Sequence, residues 1–402
     1  MTSKEFLPTD VDSDSGSDSG SDSGSDSDSD LFVLKDEGTD LFMEREEHFD
    51  QHKLNYILQN KKVYKKKMGK SCFENCHNPF AVIQKYLDKS RRGKVSVTYK
   101  QNKGIGRYFA VGGLSMQSLP REVRHSIQKG YVDIDVVNAH PVILLHLCKK
   151  HGIECKYLER YINNRDKLLS ELKVSRDAGK TAVLSLMNGG DKAYEALPHK
   201  PKWIIKLKKE MVHIHNSIAA KAGNRFESHK AKREATNPPK THNHRGSYIN
   251  VVLCDYENQI LQVLVRCFGN PRNCVLCFDG LMVQDTVAEI NDLKRVEDCV
   301  ADCMGIKIKL KKKPFDEGFD IPEVIPPEFR HKDKEWYYHN LRDFACQAPN
   351  IDMPKLLEWM RETCIVAINR GRSMLFTKNL EIDGSISYEP QETLALSEFK
   401  WK

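Results

Sequence analysis

Two aspartates at apolar strands are the residues of this sequence best suited to chemistry. Asp135 closes the β-rich stretch Tyr131–Val137, and Asp279 lies inside the hydrophobic segment CVLCFDGLMV. A carboxylate among Val, Ile, Leu and Phe is costly unless it is paired or binds a cation. Two such carboxylates on adjacent strands would form a divalent-metal site, and Mg²⁺ is typically held by one or two carboxylates together with substrate phosphates. The alternative is that each aspartate is a turn or cap residue, as the pair Asp279–Gly280 allows.

A second pattern lies between the two aspartates, in the stretch RDAGKTAVLSLMNGG. Arg176 and Lys180 are one helical turn apart and share a face, which Leu184 and Asn188 continue in steps of four. Two cations on one face of an otherwise apolar helix would bind a triphosphate while the rest of the helix packs. An ordinary solvated basic face is the alternative.

The surrounding pattern alternates between strands and helices. Asp133 and Asp135 point to the same face of a predicted strand, because side chains alternate along a strand. Glu257 lies within an apolar helix, where a helix-surface charge is its expected role. The other predicted elements are strands at Val95–Tyr99, Arg107–Val111 and Lys307–Lys312, and helices at Pro141–Lys150, 165–188, Tyr248–Phe268 and Val287–Met304.

Four segments, in order, resemble the template-directed polymerases of the DNA polymerase family A type. GRYFAVGGLSMQSLPREVR is similar to the segment "TGRLSS…LQNIP", with Arg107 at the arginine and Gln117 in the second part. DVVNAH is similar to the first palm motif, DYSQIE, and CFDGL resembles the last, VHDE. Arg176, Lys180 and Gly189 match the fingers-helix pattern RxxxKxxxxxxxYG without a gap. The resemblance covers about 104–312.

The resemblance implies an α+β fold in which an antiparallel palm sheet holds two Mg²⁺ ions and helical fingers bind the nucleotide. Asp135, Asp279 and Lys180 would be catalytic, and both aspartates would be metal ligands. Substrate contacts would come from Arg176, Asn188, His140, Asn138, Arg107 and Gln117. The implied partners are a DNA primer–template, nucleoside triphosphates and a replicative helicase, since related compact polymerases of DNA transposons and virophage-like viruses often carry a superfamily 3 helicase.

The implied activity is template-directed nucleotidyl transfer, as by a DNA-directed DNA polymerase replicating a mobile element or virus-like genome. Departures from the family pattern favour a second hypothesis, a noncatalytic nucleic-acid-binding palm that assists replication. His140 replaces the glutamate that selects the sugar, Leu184 and Asn188 replace the fingers aromatics, and Gly280 replaces the final glutamate. The two carboxylates alone would also permit a two-metal nuclease, which has no need of the Arg176/Lys180 face.

Charge and composition predict the domain organisation. The formal net charge of +7 divides into −10 for residues 1–40 and +17 for the rest, which favours a polyanionic partner. The repeats of Ser, Asp and Gly within 12–30 have no apolar residue and predict disorder. The predicted segments are a disordered acidic tail (1–40), a helical segment with a basic cluster (41–103), palm and fingers (104–322), a Pro-rich linker (323–330), and a small helical segment (331–402) resembling a truncated helicase lead-in.

Further signals concern partners and location. The cluster KKVYKKKMGK is a candidate nuclear localisation signal, phosphate-binding patch or solvated helix face, and Lys230–Arg245 predicts either a phosphate-contacting basic loop or plain solvation. Cys72, Cys76 and His77 have only weak zinc-site spacing. No apolar run reaches membrane-spanning length, no secretory signal is evident, and GxxxxGK[ST] is absent. We therefore expect a nuclear or viral-replication-site protein that is neither secreted nor in a membrane.

Overall fold

The computed structural model describes residues 38–68, 78–290, 292–331, 375–380 and 386–391. These residues form a mixed α+β structure of two compact units. The described residues of the first unit fall in 38–43, 98–109 and 132–313, and those of the second in 44–97, 110–131 and from 314 onward. Both units are discontinuous in sequence, so they differ from the five successive predicted segments, whose functional boundaries stay a prediction.

Strands in the described part of the chain belong to three sheets. A three-stranded sheet has the order β1-β2-β3, a four-stranded sheet has the order β5-β6-β4-β7, and β8 pairs with β9. The strands are β1 (Leu41–His48), β2 (Lys94–Gln101), β3 (Tyr108–Ala110), β4 (Tyr131–Val136), β5 (Cys274–Cys277), β6 (Gly280–Gln284), β7 (Leu310–Lys313), β8 (Leu375–Leu380) and β9 (Ile386–Gln391).

Helices account for most of the remaining structure. In the first unit they are α5 (Ala139–Lys150), α6 (Lys156–Asn163), α7 (Arg165–Ser170), α8 (Arg176–Met187), α9 (Lys192–Glu195), α10 (Lys202–Ala222), α11 (Asn224–Glu234), α12 (His244–Cys267), α13 (Asp285–Ile290) and α14 (Leu293–Met304). In the second unit they are α1 (Gln51–Gln59), α2 (Lys61–Lys67), α3 (Pro79–Lys89) and α4 (Arg121–Ile127). None of these described helices combines the length and apolarity needed to cross a membrane.

The four-stranded sheet positions the two predicted aspartates. β4 pairs antiparallel with β7, and β5 pairs antiparallel with β6 through the turn that contains Asp279. The buried core of the first unit includes Ile134 and Val136 of β4 together with Leu144 and Leu147 of α5. Burying this apolar area is the main stabilising contribution, at roughly 25 cal/mol per Å². The predicted palm-like sheet of antiparallel strands is therefore present.

The long helix predicted over 165–188 is wrong in detail, because the structure divides it into α7 and α8. Lys173 adopts a left-handed backbone, with φ of +56°, which a continuous right-handed helix excludes. Ser175 then caps α8, its Oγ accepting a hydrogen bond from the Ala178 N–H over 3.2 Å. Helix α8 therefore begins at Arg176, so its two predicted cations occupy the first and second turns.

The predicted helical segment 41–103 begins instead with strand β1, and charged residues at its inward positions hide the strand pattern. Glu47 is fully buried and accepts hydrogen bonds from Tyr86 Oη at 2.8 Å, Ser115 Oγ at 2.5 Å and the Met116 N–H at 2.7 Å. Because these partners are distant in sequence, local hydrophobic periodicity misses the strand. Later in the segment, helices α1 to α3 and strand β2 agree with the predicted order.

Within the predicted helical segment 331–402, the stretches 375–380 and 386–391 instead form the hairpin β8–β9, in which Leu375 pairs with Gln391 and Leu380 with Ile386, and the rest of the segment after residue 331 lies outside the described residues. A hairpin gains its stability from pairing across the turn, which helical periodicity does not register. Of the acidic tail, residues 1–37 lie outside the described residues, as do Cys72, Cys76, His77 and 332–374. Of the basic cluster, Lys61–Lys67 forms α2.

Candidate active site

The backbone of the four-stranded sheet brings Asp135 and Asp279 side by side. The N–H of Val136, next to Asp135 on β4, donates a hydrogen bond to the carbonyl oxygen of Asp279 over 3.1 Å. Asp279 lies in the turn between β5 and β6, and β6 neighbours β4 in the sheet. The two aspartates predicted from sequence therefore share one edge of the sheet, although they are more than a hundred residues apart.

Gly280 makes this close approach possible. A Cβ at position 280 would lie 2.6 Å from the carbonyl oxygen of Ile134 and 3.5 Å from Oδ1 of Asp135. The first distance is far below a normal van der Waals contact, so any side chain would push the hairpin away from β4. Gly280 is where the family pattern has a glutamate, and in this chain the absence of a side chain is a packing requirement.

Burial and mutual repulsion dominate the electrostatics of the two carboxylates. Burial raises the pKa of Asp279 to about 6, and the negative charges of Asp135 and Glu257 act in the same direction. Oδ1 of Asp135, whose side chain is only 9% exposed, lies 2.6 Å from Nζ of Lys313. A buried carboxylate, Asp135, and a half-buried one, Asp279, thus lie together, and among the described residues the ion pair to Lys313 compensates Asp135.

Lys313 was not predicted as a site residue. In the antiparallel register Asp133 lies opposite Lys313 and Asp135 opposite Lys311. Strand β7 therefore places lysines beside the aspartates of β4. The basic strand predicted at Lys307–Lys312 was the available signal, since cross-strand neighbours of opposite charge attract. Its register against β4 could not be read from sequence. Asp133 itself is buried, with 6% exposure.

Lys180 is the predicted cation that lies within electrostatic range of both carboxylates. Burial lowers its pKa, as does the positive charge of Arg165, whereas the charges of Asp279 and Asp135 act in the opposite direction. Arg165 lies at the start of α7 and was not predicted from sequence. Its Nε is buried without a hydrogen-bond partner among the described residues. Lys180 therefore shares its surroundings with both acids and with a second cation.

Arg176 and Asn188 lie at opposite ends of α8. The guanidinium of Arg176 binds Oδ1 of Asp166 through Nη2 at 3.0 Å and Nε at 3.2 Å, and its side chain is 57% exposed. Asn188 is the C-cap residue, and its carbonyl oxygen accepts a hydrogen bond from Asn243 Nδ2 over 2.9 Å. Its Oδ1 is buried without a hydrogen-bond partner among the described residues. Of the residues on the predicted face, Lys180 is therefore the one that lies near the acids. Arg176 and Asn188 lie at the two ends of the helix.

A buried network centres on Glu257 of α12. Oε2 of Glu257 lies 2.5 Å from Nε of Arg107, and Oε1 lies 2.9 Å from Nη2. Nε2 of His140 lies 3.4 Å from Oε2 of Glu257 and 3.3 Å from Nη2 of Arg107. The side chain of Glu257 is 3% exposed, so its expected role as a surface charge is wrong. The reason is tertiary, because α12 is buried between α5, α10 and α14.

This network fixes the charges of its members. Burial would raise the pKa of Glu257, but hydrogen bonds from His140 and Arg107 lower it below its usual value. Burial would lower the pKa of His140, but hydrogen bonds with Cys254 and Glu257 raise it to about 9. His140 is therefore an imidazolium at neutral pH, and with Arg107 it places two cations around one carboxylate.

Ligand atoms of His140, Cys254 and Glu257 all lie within 4.8 Å of one another, which raises the question of a metal. Glu257 already accepts two hydrogen bonds from Arg107 and faces the protonated His140. A metal ion would have to displace both cations, so this group is an ion-pair network. The carboxylates of Asp135 and Asp279 fit a divalent cation better, because they are adjacent, buried and half-buried respectively, and both negative when ionised.

Arg107 also contacts the turn that holds Asp279. Its guanidinium carbon lies 5.0 Å from the centre of the Phe278 ring, a cation–π geometry, and the Phe109 ring lies 5.5 Å from the same ring. Phe278 has φ of +60°, in the left-handed region that a bulky residue rarely adopts. Surrounding contacts must therefore hold this residue in place. Phe278 was not predicted as a site residue.

The remaining predicted residues lie elsewhere. Asn138 follows β4 in a left-handed conformation, with φ of +56°, and its side chain does not cap α5. Gln117 belongs to the second unit, where it is buried and its Oε1 accepts a hydrogen bond from the Ala110 N–H over 3.2 Å. The first unit thus brings together Asp135, Asp279 and Lys180, and Arg107, which lies beside His140, contacts the same turn through Phe278.

A cavity of about 430 Å³ lies beside the C-terminal end of α8. The wall of the cavity includes Gly189, Asn243, His215 and Phe226. Lys230 and Arg245 add positive charge to it. The two cations are the limits of the basic stretch predicted from sequence. The structure forms this stretch from the end of α11, a connection and the start of α12.

Comparisons with known proteins give a sequence relative and likenesses to solved structures, among them a polymerase domain. No family model matches the chain. The chain is 28% identical over 263 residues to a Sputnik virophage protein named "Putative helicase V13", a match that covers 60% of this chain. The chain spans about a third of that protein's length, since the match covers 33% of it.

The structural likeness is to the POL domain of Pol1 from M. smegmatis, solved as a complex with DNA primer–template and dNTP. Sequence identity is 13% and the TM-score is 0.37, with 61% of this chain and 55% of that chain covered. A likeness at this level is too low to support an inference about the site.

Proposed function

We propose that this chain is a template-directed nucleotidyltransferase, a DNA-directed DNA polymerase that acts in replication of a virus-like genome or mobile element. The observation that carries the proposal is the adjacent pair of buried Asp135 and half-buried Asp279, with Lys180 in electrostatic range of both. The four motifs that resemble family A polymerases and the similarity to a virophage protein support it.

In the proposed reaction the oxygen of the primer 3′-hydroxyl bonds to the α-phosphorus of a nucleoside triphosphate, the hydroxyl proton passes to water, and the bond to the bridging oxygen breaks so that pyrophosphate leaves. Asp135 and Asp279 would hold two Mg²⁺ ions, which when bound supply positive charge for the attacking and leaving oxygens. Lys180 would bind the triphosphate, because a charge-assisted hydrogen bond to phosphate is stronger than a neutral one. Arg176 would extend this contact if it exchanges Asp166 for phosphate.

The other predicted contacts also belong to this proposal. His140 and Asn138, which follow the acidic strand, would contact the incoming sugar, and Asn188 would lie toward the nascent base pair. Arg107 and Gln117 would contact the primer–template. The proposed partners are DNA primer–template, nucleoside triphosphates and a replicative helicase, and the proposed location is a viral replication site, with the nucleus as the other possibility.

One observation favours the second candidate, a noncatalytic nucleic-acid-binding platform. Nζ of Lys313 already forms an ion pair with Oδ1 of Asp135 at 2.6 Å. The guanidinium of Arg107 is already bound to Glu257. A site that satisfies its own charges can serve as a structural element, because the buried acid needs no cation from solution. The two candidates therefore differ in whether Asp135 exchanges Lys313 for a divalent cation.

Primer extension with Mg²⁺ and labelled nucleotides separates the candidates. We compare the wild type with Asp135→Asn and Asp279→Asn, with Asp285→Asn in the first turn of α13 as an exposed control. Extension by the wild type and the control, lost in both site variants, supports the polymerase. DNA binding without extension under any divalent metal supports the platform, and shortening of the labelled strand supports a two-metal nuclease.

A further inference from the structure

We propose that Glu257 is a positioning residue that holds Arg107 against Phe278 and thereby fixes the turn carrying Asp279. This inference rests on the proposed function, because it assigns Glu257 a role in presenting a proposed metal ligand. Glu257 lies on α12, outside the four motifs, and contacts neither Asp135 nor Asp279 through any hydrogen bond or ion pair among the described residues. Apart from the direct repulsion between its charge and that of Asp279, the influence of Glu257 on the position of the turn passes through Arg107.

The first step is the orientation of the guanidinium. Two bonds, from Nε and Nη2 of Arg107 to the two carboxylate oxygens of Glu257, form a bidentate fork. A fork of this kind fixes the plane of the guanidinium as well as its position. A Lys in place of Arg, or a Gln in place of Glu, keeps polarity but loses that geometry.

The second step connects the guanidinium to the turn. Arg107 lies 5.0 Å from the Phe278 ring centre, and Phe278 is the residue directly before Asp279. Its left-handed backbone is unfavourable for a bulky residue and persists only where surrounding contacts determine it. Arg107 and Phe109 supply those contacts to the ring.

The third step explains why this side of the turn needs support. On its other side the hairpin is seated against β4, where Val136 donates to the Asp279 carbonyl oxygen over 3.1 Å and Gly280 packs against Ile134. The hairpin keeps these contacts only while the turn stays close to β4. The repulsion between Asp279 and Asp135 acts to move the turn away from β4. The Glu257–Arg107–Phe278 contacts act against that repulsion.

The test compares Glu257→Gln with Glu210→Gln in the full chain. Glu210 is the control, because it is a half-buried glutamate on α10 whose two carboxylate oxygens likewise accept hydrogen bonds, from the N–H groups of Tyr157 and Leu158. Hydrogen exchange at the Val136 amide reports the seating of the turn, Mn²⁺ titration reports the metal site, and primer extension over a range of Mg²⁺ reports function. Phe278→Leu, which removes the ring contacted by Arg107, is a second variant that leaves Glu257 intact.

We expect Glu257→Gln and Phe278→Leu to lose Val136 protection and to weaken Mn²⁺ binding. The extension rate should fall about tenfold to a hundredfold at low Mg²⁺, with partial recovery at high Mg²⁺ and an unchanged nucleotide KM. Glu210→Gln should match the wild type in all three. Unchanged Val136 protection and metal dependence in both site variants would overturn the inference. A wild type that never extends primers overturns the polymerase proposal instead, because amide exchange and Mn²⁺ binding still test Glu257.

Discussion

Nζ of Lys313 lies 2.6 Å from Oδ1 of Asp135, so the residue best placed to hold a metal is already paired with a cation of the chain. The pair joins strands β4 and β7 diagonally. Lys313 lies opposite Asp133, which is two residues before Asp135 on the same strand. Lys313 is 40% exposed, so water screens part of the attraction. A divalent cation would therefore compete with a lysine that can turn toward solvent.

This competition predicts the effect of Lys313→Ala on metal binding. Removing the lysine should tighten Mn²⁺ binding, because the cation that competes for Asp135 is gone. The expected gain is about 1 kcal/mol, the upper range of a partly exposed ion pair. Isothermal titration with Mn²⁺ measures it, with the exposed Lys294→Ala as control. Binding that weakens in Lys313→Ala would mean that the lysine supports the metal site.

Gly280→Ala should destabilise the sheet. The added Cβ would lie 2.6 Å from the Ile134 carbonyl oxygen, so β6 and β4 must separate or distort. We expect a loss of about 1 to 3 kcal/mol in the free energy of unfolding, measured with urea. Gly318→Ala is the control, since its Cβ would meet its nearest atoms at 3.4 Å. Equal stability of the two variants would contradict the close approach.

His140 predicts a pH dependence of stability. Its pKa of about 9 in the folded state lies above its ordinary value of 6.5, because Glu257 and Cys254 stabilise the protonated form against burial. The contribution is then fully present below about pH 6.5 and is lost as pH rises through about 9, amounting to about 3 kcal/mol. Urea unfolding from pH 6 to 9.5 should show this loss in the wild type and not in His140→Gln. Parallel pH profiles for the two proteins would show that the pKa of His140 does not differ between the folded and unfolded states.

Lys180 and Arg176 should differ in their effect on nucleotide binding, although one helical turn separates them. Both residues are exposed, but Lys180 is in electrostatic range of both aspartates, whereas Arg176 is bound to Asp166. Lys180→Ala should raise the nucleotide KM about tenfold or more, because it removes a charge-assisted bond to phosphate. Arg176→Ala should raise KM by less than about threefold, as expected for an exposed ion pair. Steady-state primer extension measures both, and a larger effect at Arg176 would place the triphosphate at the start of α8.

Lys230 and Arg245, on the wall of the cavity beside α8, provide a test of phosphate contact. If both contact DNA phosphates, the double variant Lys230→Ala/Arg245→Ala should reduce the slope of log K against log salt by about 2, because each phosphate contact accounts for about one unit. Fluorescence anisotropy with single-stranded DNA at several salt concentrations measures the slope. Lys206→Ala/Lys209→Ala on α10 is the control. An unchanged slope supports plain solvation of these residues.

Local pattern was sufficient for the elements and for the central acids. Tyr131–Val136 is a strand and Asp279 lies in a hairpin turn, each as its composition and periodicity indicate, whereas the break that starts α8 at Arg176 was not predicted. The reason is physical, because the alternation of apolar residues and the positions of caps and turns depend on neighbours in sequence. The same reasoning failed at β1, where Arg45 and Glu47 occupy buried positions.

Tertiary packing determined what surrounds those acids. Glu257 becomes buried because α12 packs among three other helices, Lys313 reaches Asp135 because of one antiparallel register, and Gly280 is required because β6 lies against β4. Each relationship joins residues that are far apart in the chain, so no local pattern specifies it. Residue types and spacing established which side chains can do chemistry, whereas packing and register established which charges they meet.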